Sequence, residues 1–250
     1  MQRYFIDEIK DDTAIITGDN FHHIVRVMRM KLEDQVYLVT PDERTAIASI
    51  KELGEDFIRL TVLSWKNESS ELPIAITIAS GLPKGDKLEW ITQKGTELGA
   101  KQFLSFPAKR SISKWDGKKV KKKVERLDKI ALEAAEQSHR HFVPHFRHLE
   151  SFQALVEESA NYDHVVVAYE ESAKSGEESA LATLFGKVKP GESVLAIFGP
   201  EGGFATDEVD KLAAHQAVQV GLGPRILRTE TAPLYFLGAA SYAFELSKNG

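Results

Sequence analysis

Residues 2 to about 70 alternate apolar and polar positions over short runs, at 4–6, 13–17, 35–40, 45–50 and 57–64, separated by acidic or glycine-bearing turns. Alternation with period two marks half-buried strands, and their spacing predicts a small β-barrel. One stretch breaks the alternation. From Asp19 or Asn20, either able to cap a helix, Ile24, Val27 and Met28 recur with a helical period and are expected on its buried side. His22, Arg26 and Arg29 then share another face. A polar, serine-rich stretch over 67–72, ending at Pro73, reads as a linker and divides the chain into domains over 1–70 and 73–250.

Beyond Pro73 the pattern changes. Residues 74–79 are almost continuously apolar, the mark of a strand buried on both faces, and helical and strand periods then alternate to the C-terminus. A helix from about Lys84 to Leu98 buries Leu88, Ile91 and Leu98, and a strand over 102–106 follows it. In the next, long helix Val120, Val124, Leu127, Ala131, Ala134 and Ser138 form a core-facing stripe. Short strands are expected at 165–169, 193–198 and 217–220. The last helix, 232–246, is apolar almost all round and needs cover from the core, a second subunit, or both. The class is therefore α/β, with a mostly parallel sheet and helices on its faces.

Composition sets the boundaries. At 250 residues and 42% apolar, the chain can fill one large domain or two small ones. Zero cysteines exclude disulfides, zinc fingers and thiol nucleophiles. No apolar stretch near Met1 resembles an export signal and no run is long enough to span a bilayer, so a cytoplasmic protein is expected. The net charge of −5 hides a strong asymmetry: residues 101–129 hold eleven Lys/Arg against three Asp/Glu, whereas 150–180 hold eight acids and one lysine. One face is thus suited to a polyanion. Lys118, Lys119, Lys121, Lys122 and Lys123 open a helix, where cations oppose its dipole, and an anionic partner explains them. His139, His141, His145 and His148 lack the spacing of a metal site and Pro144 interrupts them, so a surface or RNA-facing role is expected, with no metal.

Two segments stand apart. Gly199-Pro200-Glu201-Gly202-Gly203 and 221–233 each follow a β-branched run and precede a helical pattern. Both are strand-to-helix loops in which glycine admits a close ligand and proline stiffens the backbone. Neither carries Gly-Lys-Ser/Thr, and the spacing Gly221, Gly223, Ile226 breaks the dinucleotide fingerprint. A nucleotide-like ligand held by backbone amides remains open. Arg225, Arg228 and Glu230 stand amid apolar residues in the second loop, where an ordinary turn would carry Asn, Asp or Ser.

The strings at 197–204 (IFGPEGGF) and 222–232 (LGPRILRTETA) resemble the RsmE family of ribosomal RNA methyltransferases, within the SPOUT superfamily. Similar segments occur in order at 21–29, 82–87, 94–99, Arg110-Ser111 and 136–138 with Arg140 and Pro144, so the resemblance spans nearly the whole chain. It implies a PUA-like RNA-binding β-barrel followed by a SPOUT-type α/β domain with a C-terminal trefoil knot. It further implies a homodimer that uses S-adenosyl-L-methionine to methylate N3 of one uridine in 16S ribosomal RNA of the small ribosomal subunit. On the matching positions, cofactor contact is expected from Phe198, Gly199, Pro200, Glu201, Gly202, Gly203, Leu222, Gly223, Ile226, Leu227, Arg228, Thr231 and Ala232. Arg228, assisted by Arg29, is expected to favour the N3 anion. Glu230 would orient Arg228, accept the proton, or serve only the dipole of the last helix. RNA contact is expected from His22, Arg26, Arg29, Lys84, Lys87, Arg110, Lys118, Lys119, Lys122 and Arg140, on a single-stranded or loop substrate. The competing readings are a non-catalytic RNA-binding protein of the same fold and an enzyme acting on a small nucleotide.

Overall fold

A computed structural model describes residues 1–169 and 180–247, which form two compact units. The first comprises Met1–Glu71 and Ala135–Phe142; the second comprises Leu72–Ala134 and Val143–Gly250. The segment Ala135–Phe142 therefore groups with the N-terminal strands, although the linker places it far inside the second domain. Its side chains account for this. Arg140 is buried, its Nε 2.8 Å from Glu71 Oε1, and its carbonyl accepts a 2.8 Å hydrogen bond from Arg3 Nη1. The Ser70 hydroxyl donates to the His139 carbonyl at 2.7 Å.

In the first unit, β1 (Arg3–Phe5), β2 (Thr13–Thr17), β3 (Gln35–Val39), β4 (Thr45–Leu53) and β5 (Phe57–Lys66) make a curled half-barrel in the order β1-β3-β4-β5-β2. β1 and β3 run parallel and the remaining pairs antiparallel. Its core is Tyr4, Ile16, Val36, Leu38, Ile50, Ile58 and Leu60, the inward half of each alternating run.

The helical interruption departs from its expected geometry. α1 (Gly18–His22) passes into a widened turn over His23–Val27, closed by a 2.9 Å bond from the Met28 N–H to the His23 carbonyl. A turn closed from i to i+5 rotates less per residue than the α-helix. Ile24 stays buried, but Val27 and Met28 face solvent. Arg29, at φ 54°, ends the segment in the left-handed region and does not continue a helical face with His22 and Arg26.

The second unit holds a six-stranded parallel sheet in the order β11-β9-β10-β6-β7-β8. Its strands are β6 (Ala75–Gly81), β7 (Gln102–Phe106), β8 (His145–His148), β9 (His164–Ala168), β10 (Ser193–Phe198) and β11 (Val218–Val220). Helices α2 (Lys87–Glu97), α3 (Gly117–Gln137) and α7 (Thr231–Ser241) cover one face, together with α5 (Ala180–Phe185). α4 (Phe152–Ser159) and α6 (Thr206–Ala214) cover the other. β10 divides its side chains between the two cores by simple alternation: Val194, Ala196 and Phe198 point to the first, Leu195 and Ile197 to the second.

α7 continues as a widened turn over Tyr242–Leu246. Phe236, Leu237, Ala240 and Phe244 join the core, while Tyr235, Tyr242 and Leu246 remain exposed at 43%, 65% and 67%. β8 lies at the sheet edge, pairing with β7, on a histidine-bearing stretch for which no strand was predicted. Of the acidic run at 150–180, residues 170–179 lie outside the described residues.

Candidate active site

All the strands of a parallel sheet end on one side, so the loops that follow β10 and β11 open at the same edge. The first loop is seated on β6. Ser80 pairs with Phe198, and Gly81 lies so close to Pro200 that a Cβ there would stand 2.6 Å from Pro200 Cδ. The Pro200 carbonyl accepts from the Gly203 N–H at 2.8 Å, and Gly203 takes the left-handed backbone such a turn requires, at φ 67°.

Neighbouring elements fix the loop further. Arg110 Nη1 donates to the Gly202 carbonyl at 3.0 Å, and an added Cβ on Gly202 would meet Arg110 Cβ at 2.9 Å. Glu208, buried in α6, accepts the Ala205 N–H at 2.9 Å and the Lys109 N–H at 2.8 Å, tying the stretch after β7 to the start of α6. Glu201 Oε1 accepts the Lys84 N–H at 2.9 Å and a hydrogen bond from Lys87 Nζ at 3.0 Å. Burial alone would push the Glu201 carboxyl up. The Lys84 N–H, its own backbone N–H and Lys87 outweigh that and hold it below the usual carboxylate value.

The second loop leads into α7 through Arg228, whose carbonyl accepts from the N–H groups of Thr231 at 2.8 Å and Ala232 at 3.0 Å. Gly223 is left-handed at φ 84°. Among the described residues, the N–H groups of Leu222, Gly223, Arg225, Ile226 and Leu227 have no acceptor within the protein. The guanidinium groups of Arg225 and Arg228 likewise have no partner and are exposed.

Between the loops is a cavity of about 620 Å³. Its lining includes Phe198, Gly199, Pro200, Glu201, Gly202, Gly203, Leu222, Gly223, Ile226, Leu227, Arg228 and Ala232, all residues that the sequence assigned to a cofactor. Thr231, the first residue of α7, is not part of the lining. Lys87 and Arg110 line the cavity as well, and both hold the first loop. Ala168, Tyr169, Phe204, Thr206, Val220, Arg225 and Thr229 complete it and were not assigned beforehand. A signal for Tyr169 exists in the chain: it directly follows β9, which ends at the same edge as β10.

Chain comparisons bear on what such a cavity serves. The RNA methyltransferase domain family matches residues 70–241, and the RNA methyltransferase PUA domain matches residues 16–63. Ribosomal RNA small subunit methyltransferase E of Bacillus subtilis is 52% identical over 98% of both chains. The chain belongs to the ribosomal RNA small subunit methyltransferase E (RsmE) family. The Mycobacterium bovis protein of that name is 32% identical over 94% of this chain and 89% of its own length. A Legionella pneumophila protein solved in complex with the bound cofactor SAM superposes with a TM-score of 0.81, at 26% identity over 96% of this chain and 97% of that one. The fold is shared with methyltransferase E of Neisseria gonorrhoeae, solved with S-adenosyl methionine, at a TM-score of 0.82 and 23% identity over 98% of each chain.

The positions expected to touch RNA divide into two kinds. His22, Arg26 and Arg29 on the barrel unit are exposed, as are Lys84, Lys118, Lys119 and Lys122 on the second unit. Lys119 pairs with Asp116 at 3.0 Å. Arg140 is corrected: at 2% exposure, with its guanidinium on Glu71, it has no surface to offer a phosphate and acts as a structural residue of the first unit. Glu230 also departs from one expectation. Its carboxylate faces Lys87 Nζ at 3.4 Å, while the Arg228 guanidinium has no partner among the described residues, so Glu230 does not orient Arg228.

Proposed function

We propose that this RsmE-family protein transfers a methyl group from S-adenosyl-L-methionine to N3 of a uridine in 16S ribosomal RNA of the small subunit. The observation that carries the reading is the cavity between two glycine loops, bordered by two arginines unpaired among the described residues, in a chain of this family. The donor set fits an adenosyl ligand. About 620 Å³ lies within the range of about 300–1,000 Å³ common to small-molecule sites, and the unpaired N–H groups of the second loop suit the acceptor edge of a purine. The bound cofactor supplies a methyl group already activated on a sulfonium.

The chain then has three tasks. The loops hold the donor and align it with the incoming base. The apolar side chains of Phe198, Leu222 and Leu227 in the lining would keep water from the bound donor. Arg228, whose carbonyl is tied to the start of α7 and whose guanidinium has no partner among the described residues, would meet the charge that spreads onto uracil O2 and O4 as N3 loses its proton. The proton passes to solvent at this exposed lip. Glu230, turned to Lys87, is assigned to the loop structure.

His22, Arg26 and Arg29 on the barrel, with Lys118, Lys119 and Lys122, are assigned to the RNA backbone. A trefoil-knotted path is proposed with the fold, in keeping with β10 lying between β6 and β9 in the sheet. The exposed Tyr235, Tyr242 and Leu246 favour a homodimer built on the last helix. No described helix is long and apolar enough to cross a membrane, and a cytoplasmic setting follows from the proposed substrate.

Incubating the protein with methyl-labelled cofactor and small subunits or 16S RNA, then digesting the RNA for mass spectrometry, should yield N3-methyluridine. Arg228→Ala should lower turnover by about 100-fold or more while the cofactor dissociation constant stays within about threefold, roughly 0.6 kcal/mol. Equal losses in both would remove Arg228 from the chemistry. RNA binding without any methyl transfer by the native chain would favour a non-catalytic protein.

A further inference from the structure

The two glycine loops follow different strands, and one side chain from a third element reaches a carboxylate on each. Lys87, the first residue of α2, places Nζ 3.0 Å from Glu201 Oε1 in the first loop and 3.4 Å from Glu230 Oε2 in the second. The same Glu201 oxygen takes the Lys84 N–H, so the stretch leading into α2 grips the first loop twice. Glu230 Oε2 is shut off from solvent and accepts no hydrogen bond among the described residues. The ammonium is near enough to attract it without the alignment of a hydrogen bond, and is its ion-pair partner among the described residues.

We infer that Lys87 is a positioning residue for the cofactor, a single ammonium that holds the two loops at the spacing the ligand needs, and does not contact RNA phosphate. The inference rests on reading the cavity as a methyl-donor site. Its physical basis is charge. Without Lys87, Glu201 and Glu230 would confront each other as like charges in a partly desolvated space and push the loops apart. With it, a cation lies between the two carboxylates, and the hydrogen bond to Glu201 raises the Lys87 ammonium above its ordinary value. Lys87 also spends its charge on two carboxylates, leaving little for a polyanion.

The test uses the full chain as wild type, Lys87→Met, Lys87→Arg and the double variant Lys87→Met/Glu230→Gln. Isothermal titration with S-adenosylmethionine and with S-adenosylhomocysteine reads cofactor affinity; binding of a 16S RNA fragment across a salt series reads phosphate contact. Lys87→Met should weaken both cofactor ligands by a similar factor of about ten, equivalent to about 1.4 kcal/mol. The KM for the methyl donor should rise while kcat at saturation holds. Lys87→Arg should recover most of the loss, and removing the Glu230 charge should recover part of it. The slope of log RNA affinity against log salt should not change.

Wild-type cofactor affinity in Lys87→Met would overturn the inference. So would a salt slope reduced by about 1 with cofactor binding intact, which would make Lys87 a phosphate contact. A native chain that binds neither cofactor ligand would instead overturn the proposed function, and the inference with it. Should Lys87→Met fail to fold, Lys87→Arg and the double variant are compared with wild type, and an arginine variant that binds the cofactor no better than the double variant overturns the charge argument.

Discussion

Gly81→Ala tests whether the first glycine loop depends on its seat against β6. Gly81 is buried at the end of that strand, paired with Phe106. A methyl group on its backbone would lie 2.6 Å from Pro200 Cδ and 2.9 Å from Pro200 N, where ordinary contact begins at 3.4 Å. A long side chain could swing aside; a proline ring and a main-chain nitrogen cannot. Relief therefore requires Pro200 to retreat by about 0.8 Å, taking Gly199 and Glu201 with it. Overpacking of this kind costs about 1–3 kcal/mol, and a shift of about 1 Å in a reacting geometry costs about 100-fold in rate. Urea unfolding should show the first loss, and methyl transfer to 16S RNA the second, with weaker cofactor binding. Gly117→Ala is the control. Nothing lies within 4 Å of a Cβ at Gly117, so its stability should stay within about 0.5 kcal/mol of wild type. A Gly81→Ala protein with native turnover and cofactor affinity would refute the claim that Pro200 sets the loop.

Arg140→Met would leave the Glu71 carboxylate without its guanidinium in the first unit; the expected cost is about 3–5 kcal/mol by denaturant unfolding, and unchanged stability would return Arg140 to the RNA-contact set. Stability should also fall on acidification through His148, which is 2.8 Å from Ser105 Oγ and is held below its ordinary value of 6.5 chiefly by burial. Below about pH 6.5 the unfolded chain binds a proton that the folded chain refuses, so stability present at neutral pH is lost as pH falls toward the folded value. His139 and His141 are shifted in the same direction, again mainly by burial, and add to the effect. Thermal melts between about pH 7.5 and 5.5 should therefore decline, with a smaller decline for His148→Gln; an equal decline in both would clear His148 of the effect.

Local period carried much of the fold. The alternating runs before Pro73 and the apolar strands after it were legible because strand and helix spacing depend on near neighbours, which a single chain displays. The two loops were legible for a similar reason, since glycine and proline mark backbone that side chains cannot replace. β8 escaped because its one buried residue, Phe146, stands between exposed or half-buried polar neighbours at a sheet edge. The widened turn at His23–Val27 escaped because α and π closures differ by one residue in hydrogen-bond partner, and composition does not distinguish them.

Taken alone, the chain determined most of the strands and helices and singled out the two glycine loops that border the cavity. Tertiary structure alone decided what the charges do. Lys87, Arg110 and Arg140 look equally fit for phosphate in sequence. Folding sets Lys87 between Glu201 and Glu230, lays Arg110 along Gly202, and buries Arg140 on Glu71. The reason is range: periodicity is written within a few residues, whereas the partner of a long cationic side chain is chosen by whatever carboxylate or carbonyl the fold brings within about 3 Å of it.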